Sequence, residues 1–387
     1  MKKTFIFFTI ATISLVSCKK EDPKPMDLSA PFKAQAKETY TKIAWAVYED
    51  SYLTAVTLKS KVDAFVANPT AQGLEEAKQA WLDAREPYGQ SEVFRFTDGP
   101  IDVDPGYEGY INSWPLDESF IDYVQGNPTS GIINDLVNFP VIDKATLINQ
   151  NQNGSETNIA TGYHAIEFLL WGQDFSASGP GNRNFLDFKD GGGTATNEDR
   201  RRAYLSVCTE LLVDMLEAVK DQWDPNGSGN YRANFLTLSD DAFLQKIFGQ
   251  TAVLSHNELA GERLYVAYEN GNQEDEQSCF SDNTHRDIIL DAQGIQNLIE
   301  GNYKRVDGSI VSGTSLYHVI ALSFSDDATS IKTMIDGSVT LAESIPAPFD
   351  QAIINQDASI LSTVHNLQDQ GEKLVTIAAK FNITITL

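Results

Sequence analysis

The chain has 387 residues, which is enough for two domains that each bury a core of their own. Its formal net charge is −25, because 54 acidic residues outnumber 29 basic ones. A field of that sign repels nucleic acid and anionic lipid headgroups, so the composition excludes a nucleic-acid-binding protein. The charge suits a cationic ligand, although a solvated acidic surface is a sufficient explanation for most of the carboxylates.

The first eighteen residues have the pattern of a bacterial lipoprotein signal. Met1–Lys3 is a short positive segment, and Phe5–Leu15 is an apolar run of signal-peptide length, too short to span a bilayer as a helix. The run ends in Leu15–Cys18, whose sequence Leu-Val-Ser-Cys matches a lipobox. We therefore expect residues 1–17 to be removed as a signal peptide and Cys18 to carry a lipid. The alternative is an ordinary secretory signal with an incidental cysteine.

Residues 18–30 are polar and contain prolines, which is typical of a flexible tether. Lys19, and not an aspartate, follows the cysteine, and by the usual sorting rule this indicates the outer membrane. We expect a lipid-anchored protein that faces the periplasm or the cell surface.

Helical periodicity dominates the rest of the chain. In the first predicted helix, for example, Ala44, Val47, Ser51, Ala55 and Leu58 follow one another at spacings of three or four, as on one helix face. Helices are predicted over residues 32–66, 74–88, 117–125, 158–171, 197–223, 240–268, 315–322, 326–336 and 358–380.

The predicted fold class is all-α, with two helical-bundle domains. Residues 176–196 are polar and rich in glycine, so we place the boundary there, between an N-terminal domain over 31–195 and a C-terminal domain over 196–387. Residues 96–115 lack periodicity, and so long an irregular segment indicates an insertion loop or a functional role. Strand-like alternation is scarce apart from Ile383–Leu387.

The chain has two cysteines besides Cys18. Cys208 and Cys279 are able to pair in an oxidising compartment, but two cysteines do not make a disulfide scaffold. We expect free, buried thiols.

The sharpest local signal is the segment Gly162–Glu167, inside a predicted helix. His164 and Glu167 are three positions apart and project from one helix face, so both reach one ion or ligand. Imidazole and carboxylate together suit zinc or iron. The spacing alone also fits a structural hydrogen-bonded pair. Gly162 within a helix costs about 1 kcal/mol relative to alanine, which indicates that another segment packs closely there.

A second polar cluster occupies residues 274–287. Its part Ser281–His285 adjoins a cysteine and a phenylalanine, residue types that prefer burial, and is a candidate for ligand binding. The alternative is a solvated loop that leads into a helix capped by Ser281 or Asp282.

Two further segments are polar. If residues 87–96 are helical, Glu92 and Arg95 share a helix face, and an internal ion pair is the simpler interpretation. Glu258, Glu262 and Arg263 form another polar stripe.

Several enzyme signatures are absent from the sequence. There is no His-Glu-x-x-His pair, because Ala165 and Phe168 stand where a zinc-peptidase helix needs its other groups. No glycine-rich phosphate loop precedes a helix, and there is no Gly-x-Ser-x-Gly elbow.

Six blocks of the sequence resemble the imelysin family, in the family's order. The blocks are Trp81–Tyr88, Ser91–Phe96, Gly99–Asp102, Asn112–Glu118, Gly162–Asp174 and Ser278–His285. They are spread within residues 35–300, and the C-terminal part matches more loosely. The resemblance implies an all-helical protein of two bundle-like domains, from an ancient duplication, with a site between them. It also implies export and a role in bacterial iron acquisition.

The resemblance carries functional residues over by position. His164 and Glu167 match the family's motif pair, and we predict that they bind a metal ion, iron or zinc. Residues in other family-typical blocks are predicted to line the same cleft and bind the ligand: Glu92, Arg95, Ser281, Asp282 and His285.

The function expected from the resemblance is capture of iron, or of an iron-bearing small molecule, beside an outer-membrane uptake receptor. A metallopeptidase is the first alternative, because some family members carry that name. A catalytic zinc usually takes three protein ligands, so Glu92, Asp282 or His285 would have to complete the set. The second alternative is an acidic-glycan-binding module, with stacking platforms at Tyr107, Tyr110, Trp114 and Trp171.

Overall fold

The structure is a computed structural model that describes residues 29–176, 178–193 and 195–387. The predicted signal peptide, the lipidated Cys18 and most of the predicted tether lie outside this part of the chain.

Most of the described residues are helical, which confirms the all-α fold class. The first half contains α1 (Ala30–Ala67), α2 (Ala71–Gly89), α3 (Glu108–Ile111), α4 (Glu118–Ile121), α5 (Gly131–Asn134), α6 (Lys144–Gln150) and α7 (Gly162–Trp171). The second half contains α8 (Glu198–Trp223), α9 (Tyr231–Leu236), α10 (Asp240–Val253), a π-helix (Leu254–Tyr265), α11 (Val266–Asn270), α12 (Thr284–Glu300), α13 (Leu316–Ser323), α14 (Ser325–Ser344), α15 (Phe349–Ile354) and α16 (Ala358–Lys380). Short 3₁₀ turns occupy Glu92–Phe94, Phe185–Phe188 and Gln273–Asp275, and β1 (Asn302–Lys304) pairs antiparallel with β2 (Ile310–Ser312).

Helix α1 organises the core of the first half. It packs along α2 and along α8, and α7 lies against both of those helices. The buried face of α1 includes Val47, Leu58 and Phe65, at the predicted helical spacing. The turn into α2 is fixed by Thr70, whose side chain accepts a hydrogen bond of 3.0 Å from the backbone amide of Gly73.

The C-terminal helices form a second packed group. Helix α16 lies against the π-helix, α10 and α14, while α12 packs on both α14 and α2 and so joins the two groups. Helix α8 follows the predicted domain boundary in sequence but packs on α1 and α7. The division into two domains, like their origin by duplication, stays a prediction.

A π-helix interrupts the helix predicted over residues 240–268. After Val253 the backbone hydrogen bonds change from the α spacing to the wider π spacing and remain so to Tyr265. Segments of this kind are rare and frequently occur at functional sites. Three charged residues of this segment face residues from the first half of the chain: Glu258, Glu262 and Arg263.

The strand-like alternation at Ile383–Leu387 does not correspond to a strand. Ile383 is buried and Thr384 is exposed, so the alternation reflects packing of one side of the tail against the core, and these residues adopt no strand. The antiparallel pair of β1 and β2 was not expected, because strands of three residues are too short to show a period.

The expectation for the cysteines is confirmed, since Cys208 and Cys279 are both buried free thiols. Among the described helices, none has the length and the apolar composition required to cross a bilayer.

Candidate functional site

Helix α7 begins at a glycine that another segment approaches closely. Gly162 has a φ of 87°, and a Cβ at this position would lie 2.4 Å from the carbonyl oxygen of Ile111. The helix predicted over residues 158–171 therefore starts at Gly162, which is its first residue and not an internal one. The close packing expected from this glycine is confirmed, and it places the start of α7 against the end of α3.

His164 and Glu167 form a buried pair that Ser281 closes from the second half of the chain. His164 Nδ1 lies 2.9 Å from Glu167 Oε2. Glu167 Oε1 accepts hydrogen bonds from the Ser281 backbone amide at 2.9 Å and from the Ser281 hydroxyl at 2.7 Å. His164 is only 1% exposed and Glu167 is fully buried. His164 Nε2 has no hydrogen-bond partner among the described residues.

Burial shifts the pKa values of this pair in opposite directions. Loss of hydration raises the pKa of Glu167 to about 8, although the hydrogen bonds from Ser281 oppose the shift. Loss of hydration, together with the positive charge of Arg85, lowers the pKa of His164 to about 3. At neutral pH the imidazole is therefore uncharged and the carboxyl group is mainly protonated. The pair is a neutral hydrogen-bonded unit.

Arg85 acts on this pair through its charge and belongs to a wider buried network. Its guanidinium group lies 3.0 Å from Asp287, donates a hydrogen bond of 2.6 Å to Asn112 Oδ1, and stands 5.0 Å from the centroid of the Tyr163 ring. The amide of Asn112 in turn lies 3.3 Å from Glu92 Oε1. A continuous chain of polar contacts therefore extends from α2 to the turn at residues 92–95.

The centre of the network is the ion pair between Glu92 and Arg263. Glu92 Oε2 lies 2.7 Å from Arg263 Nη2 and 2.9 Å from Arg95 Nη1, and Arg263 also contacts Asp291 and Glu258, each at 2.8 Å. Burial opposes ionisation of Glu92, but the two guanidinium groups outweigh it and hold its pKa at about 2. Burial raises the pKa of Asp291 to about 8 against the opposing charge of Arg263.

A cavity of about 440 Å³ lies beside this network, and we call it the acidic cavity. Arg95 and Trp114 are among the residues that line it. Five carboxylates complete the charged part of the lining: Glu108, Glu156, Glu258, Glu262 and Asp275. Arg95 is held in place by Glu108 at 3.2 Å and by Asp102 at 3.4 Å. The network thus fixes the position of Arg95 in a cavity whose lining is mostly negative.

The predicted site residues fall into two groups. Glu167 contacts both His164 and Ser281 in the first group, and Glu92 and Arg95 form the second group. The remaining two, Asp282 and His285, flank the first group and are half-buried, with His285 Nδ1 lying 3.0 Å from the Asp282 carbonyl oxygen. Of all seven, only Arg95 lines the acidic cavity.

As a metal site, the His164–Glu167 pair offers a single donor atom. Both carboxyl oxygens of Glu167 are already hydrogen-bonded, which leaves His164 Nε2. Among the described residues, no three or more His, Cys, Asp or Glu side chains are arranged to hold a metal ion. Binding of a metal by His164 and Glu167 together stays a prediction.

The aromatic residues considered for glycan stacking do not share one surface. Trp114 lines the acidic cavity, whereas Trp171 lines a separate cavity of about 380 Å³ together with Tyr123 and Phe175.

Sequence reasoning missed the partners that complete the network. These are Arg85, Asn112, Arg263, Asp287 and Asp291. Arg85 and Asn112 stand within the family-like blocks, and Arg263 stands in the polar stripe of the long helix, so each had a weak signal. What the sequence lacked was evidence of burial, since an arginine on a helix is usually a solvated residue.

Comparisons with known proteins agree with this architecture. The family model for imelysin matches residues 44–375. The chain belongs to the imelysin family. It is 26% identical over 262 residues to iron-regulated protein A of Synechococcus elongatus, an alignment that covers 66% of this chain and 60% of that protein. The chain therefore aligns with somewhat less than two thirds of the length of that relative.

Two solved structures of imelysin-type proteins share the fold. A Parabacteroides distasonis protein described as an iron-regulated protein A precursor superposes with a TM-score of 0.70 at 17% identity, covering 91% of this chain and 95% of that one. An imelysin-like protein from Psychrobacter arcticum superposes with a TM-score of 0.63 at 13% identity. That superposition covers 93% of this chain and 99% of the other.

Proposed function

We propose that this imelysin-family protein captures iron for uptake, as a hydrated ion or a cationic complex, in the acidic cavity. The observation that carries the proposal is the lining, where five carboxylates face one guanidinium group. The iron-regulated names of a curated relative and of a solved structural relative support the choice of iron among cations. Carboxylate oxygens suit hard cations.

The spacing of the carboxylates favours an ion that keeps its own ligand shell. No three His, Cys, Asp or Glu side chains in the described part of the chain converge on one point. The cavity volume of about 440 Å³ exceeds that of an ion with six waters, at roughly 30 Å³ for each water. The carboxylates would therefore accept hydrogen bonds from the water or chelator around the iron.

The buried network gives the cavity a fixed shape. Arg263 contacts Glu92 below the cavity and Glu258 in its lining, and Arg95 contacts Glu92 and Glu108 in the same way. Side chains held by such contacts lose little freedom when a ligand binds, which favours affinity.

Titration calorimetry with Fe²⁺ under anaerobic conditions tests the proposal. The double change Glu156→Gln and Glu262→Gln removes two lining carboxylates, and we expect affinity to fall by about tenfold or more. The control is the double change Glu217→Gln and Glu372→Gln, which alters the net charge equally at exposed positions away from the cavity. Equal loss in both double variants would show a general charge effect and reject the cavity.

His164 Nε2 supports a second candidate, a metallopeptidase. A histidine that holds a carboxyl group at one nitrogen and leaves the other free has the arrangement common among metal ligands. A peptidase predicts cleavage of an unfolded protein substrate that stops with a chelator and in the Glu167→Ala variant. Iron capture in the acidic cavity predicts instead that His164→Ala retains the Fe²⁺ affinity.

We further propose that a lipid on Cys18 anchors the protein to the outer membrane, beside an uptake receptor. Mass spectrometry of protein purified from a Gram-negative host tests the anchor. An acylated peptide that begins at Cys18 and is lost in Cys18→Ala supports it. An unmodified peptide that retains the thiol rejects it.

A further inference from the structure

A second, smaller cavity has the opposite charge. It has a volume of about 240 Å³ and lies where α1, α9 and the β1–β2 hairpin meet. Three cationic side chains line it, with no acid among them: Lys42, Arg232 and Arg305. On a chain with a formal charge of −25, such a lining is unexpected. We call it the basic cavity.

Each of the three cations has a nitrogen that is free to bind a ligand. Lys42 is exposed, and its ammonium group makes no ion pair with any described residue. Arg232 Nη2 lies 3.4 Å from Glu38, and its Nη1 makes no hydrogen bond with the described part of the chain. An acceptor on a ligand would therefore find an unused donor on each of these two side chains.

Arg305 is held rigidly at the edge of the basic cavity. Its Nε and Nη2 donate to Asp50 at 3.0 and 2.6 Å, and Nη2 also lies 2.6 Å from Glu49. These bonds leave Nη1 for a ligand. Asp50 and Glu49 hold the guanidinium group in place and do not themselves line the cavity.

The remaining lining is apolar. Trp45, Ala46, Pro225 and Val311 supply it, and Trp45 offers an aromatic surface. Drug-sized ligands occupy cavities of about 300 to 1,000 Å³, so a cavity of about 240 Å³ suits a smaller molecule. The charge requires an anionic group, and the apolar wall requires a hydrocarbon body.

We propose that the basic cavity binds a small organic anion: a single apolar or aromatic ring that carries a carboxylate or phosphate group. The anionic group contacts Lys42 and the free nitrogens of Arg232 and Arg305, and the ring lies against Trp45. This site is independent of the acidic cavity and of the proposed iron capture.

Titration calorimetry with phenyl phosphate and with benzoate tests the site. The ligand that binds with the higher affinity shows which anionic group the site prefers. Lys42→Gln and Arg232→Gln should each weaken binding by about tenfold, as expected for the loss of one charge-assisted hydrogen bond. Lys304→Gln is the matched control, because Lys304 is exposed beside Arg305 but does not line the cavity. Benzyl alcohol, which lacks the charge, should not bind measurably.

Three results would overturn the proposal: no saturable binding of either anion, equal binding of benzyl alcohol, or unchanged affinity in the Lys42→Gln variant. Lys42 is exposed on α1, so its replacement leaves the fold intact and keeps the test decisive if Arg232→Gln unfolds the protein. Fe²⁺ titration of the same variants should show unchanged affinity.

Discussion

Glu92 and Arg263 stand 171 positions apart in sequence, yet their side chains meet at 2.7 Å with each only 1% exposed. Bringing two charges out of water is costly, and the attraction between them repays that cost only with good geometry and further hydrogen bonds. Arg263 satisfies this condition because it also contacts Asp291 and Glu258. The pair therefore links the first half of the chain to the π-helix in one arrangement.

Removal of Arg263 should destabilise the protein strongly. Arg263→Met leaves buried Glu92 with one of its two counter-charges and removes the hydrogen-bond donor of Asp291, and we expect the free energy of unfolding to fall by about 3–5 kcal/mol. Urea unfolding at pH 7 measures the change. Lys59→Met is the control, because it breaks an exposed ion pair with Asp63 and should cost less than about 1 kcal/mol. Similar values for the two variants would contradict this account.

The sequence predicted some elements well because their signal is local. The helix expected over residues 358–380 has those same bounds, since its apolar residues keep a regular helical spacing over the whole length.

The site was less predictable because its defining features are not local. The π-helix changes the spacing that periodicity assumes, so Arg263 could not be assigned to a buried face. The contact between Glu167 and Ser281 joins residues 114 positions apart, so the local pattern does not predict it, and only the family resemblance placed the two residues in one cleft. The positive φ of Gly162 was also invisible, so a helix start looked like a helix interior.

The buried carboxyl group of Glu167 should make stability depend on pH. Its pKa is raised from 4.5 to about 8 in the folded protein, so the folded state binds more protons than the unfolded state between these values. The stabilisation is complete below pH 4.5 and is lost as the pH rises through 8. His164, with its pKa lowered from 6.5 to about 3, acts in the opposite sense below pH 6.5.

The window from pH 6.5 to 8 therefore isolates Glu167 from His164. Over this window the unaltered protein should lose about 1–2 kcal/mol more unfolding free energy than the Glu167→Gln variant. Asp291 also has a raised pKa, but it is present in both proteins and cancels in the difference. Urea unfolding at the two pH values measures the effect, and parallel pH profiles would show that Glu167 is ionised in the folded protein.

Gly162→Ala should destabilise the start of α7. The change forces a side chain into a φ of 87° and places Cβ 2.4 Å from the Ile111 carbonyl oxygen. Gly308→Ala is the matched control for backbone strain without a steric clash. Gly308 has a φ of 85°, and nothing lies within 4 Å of the added carbon. We expect the free energy of unfolding to fall by about 1 kcal/mol in Gly308→Ala and by at least about 3 kcal/mol in Gly162→Ala, as measured by thermal unfolding. A smaller loss of unfolding free energy in Gly162→Ala than in Gly308→Ala would show that α7 moves away from Ile111 at little cost.

Iron binding and stability should respond to different carboxylates of the same region. Glu262 is exposed in the lining of the acidic cavity, so Glu262→Gln should weaken Fe²⁺ binding several-fold and change the unfolding free energy by less than about 0.5 kcal/mol. Glu92 lies beneath the cavity and contacts two arginines, so Glu92→Gln should lower stability by about 3 kcal/mol or more. Calorimetric titration and urea unfolding of both variants measure the two effects. The opposite result would be an unchanged Fe²⁺ affinity in Glu262→Gln together with loss of Fe²⁺ binding, but not of stability, in Glu92→Gln. The ion would then have to bind in the buried network, and the acidic cavity would be only the entrance to it.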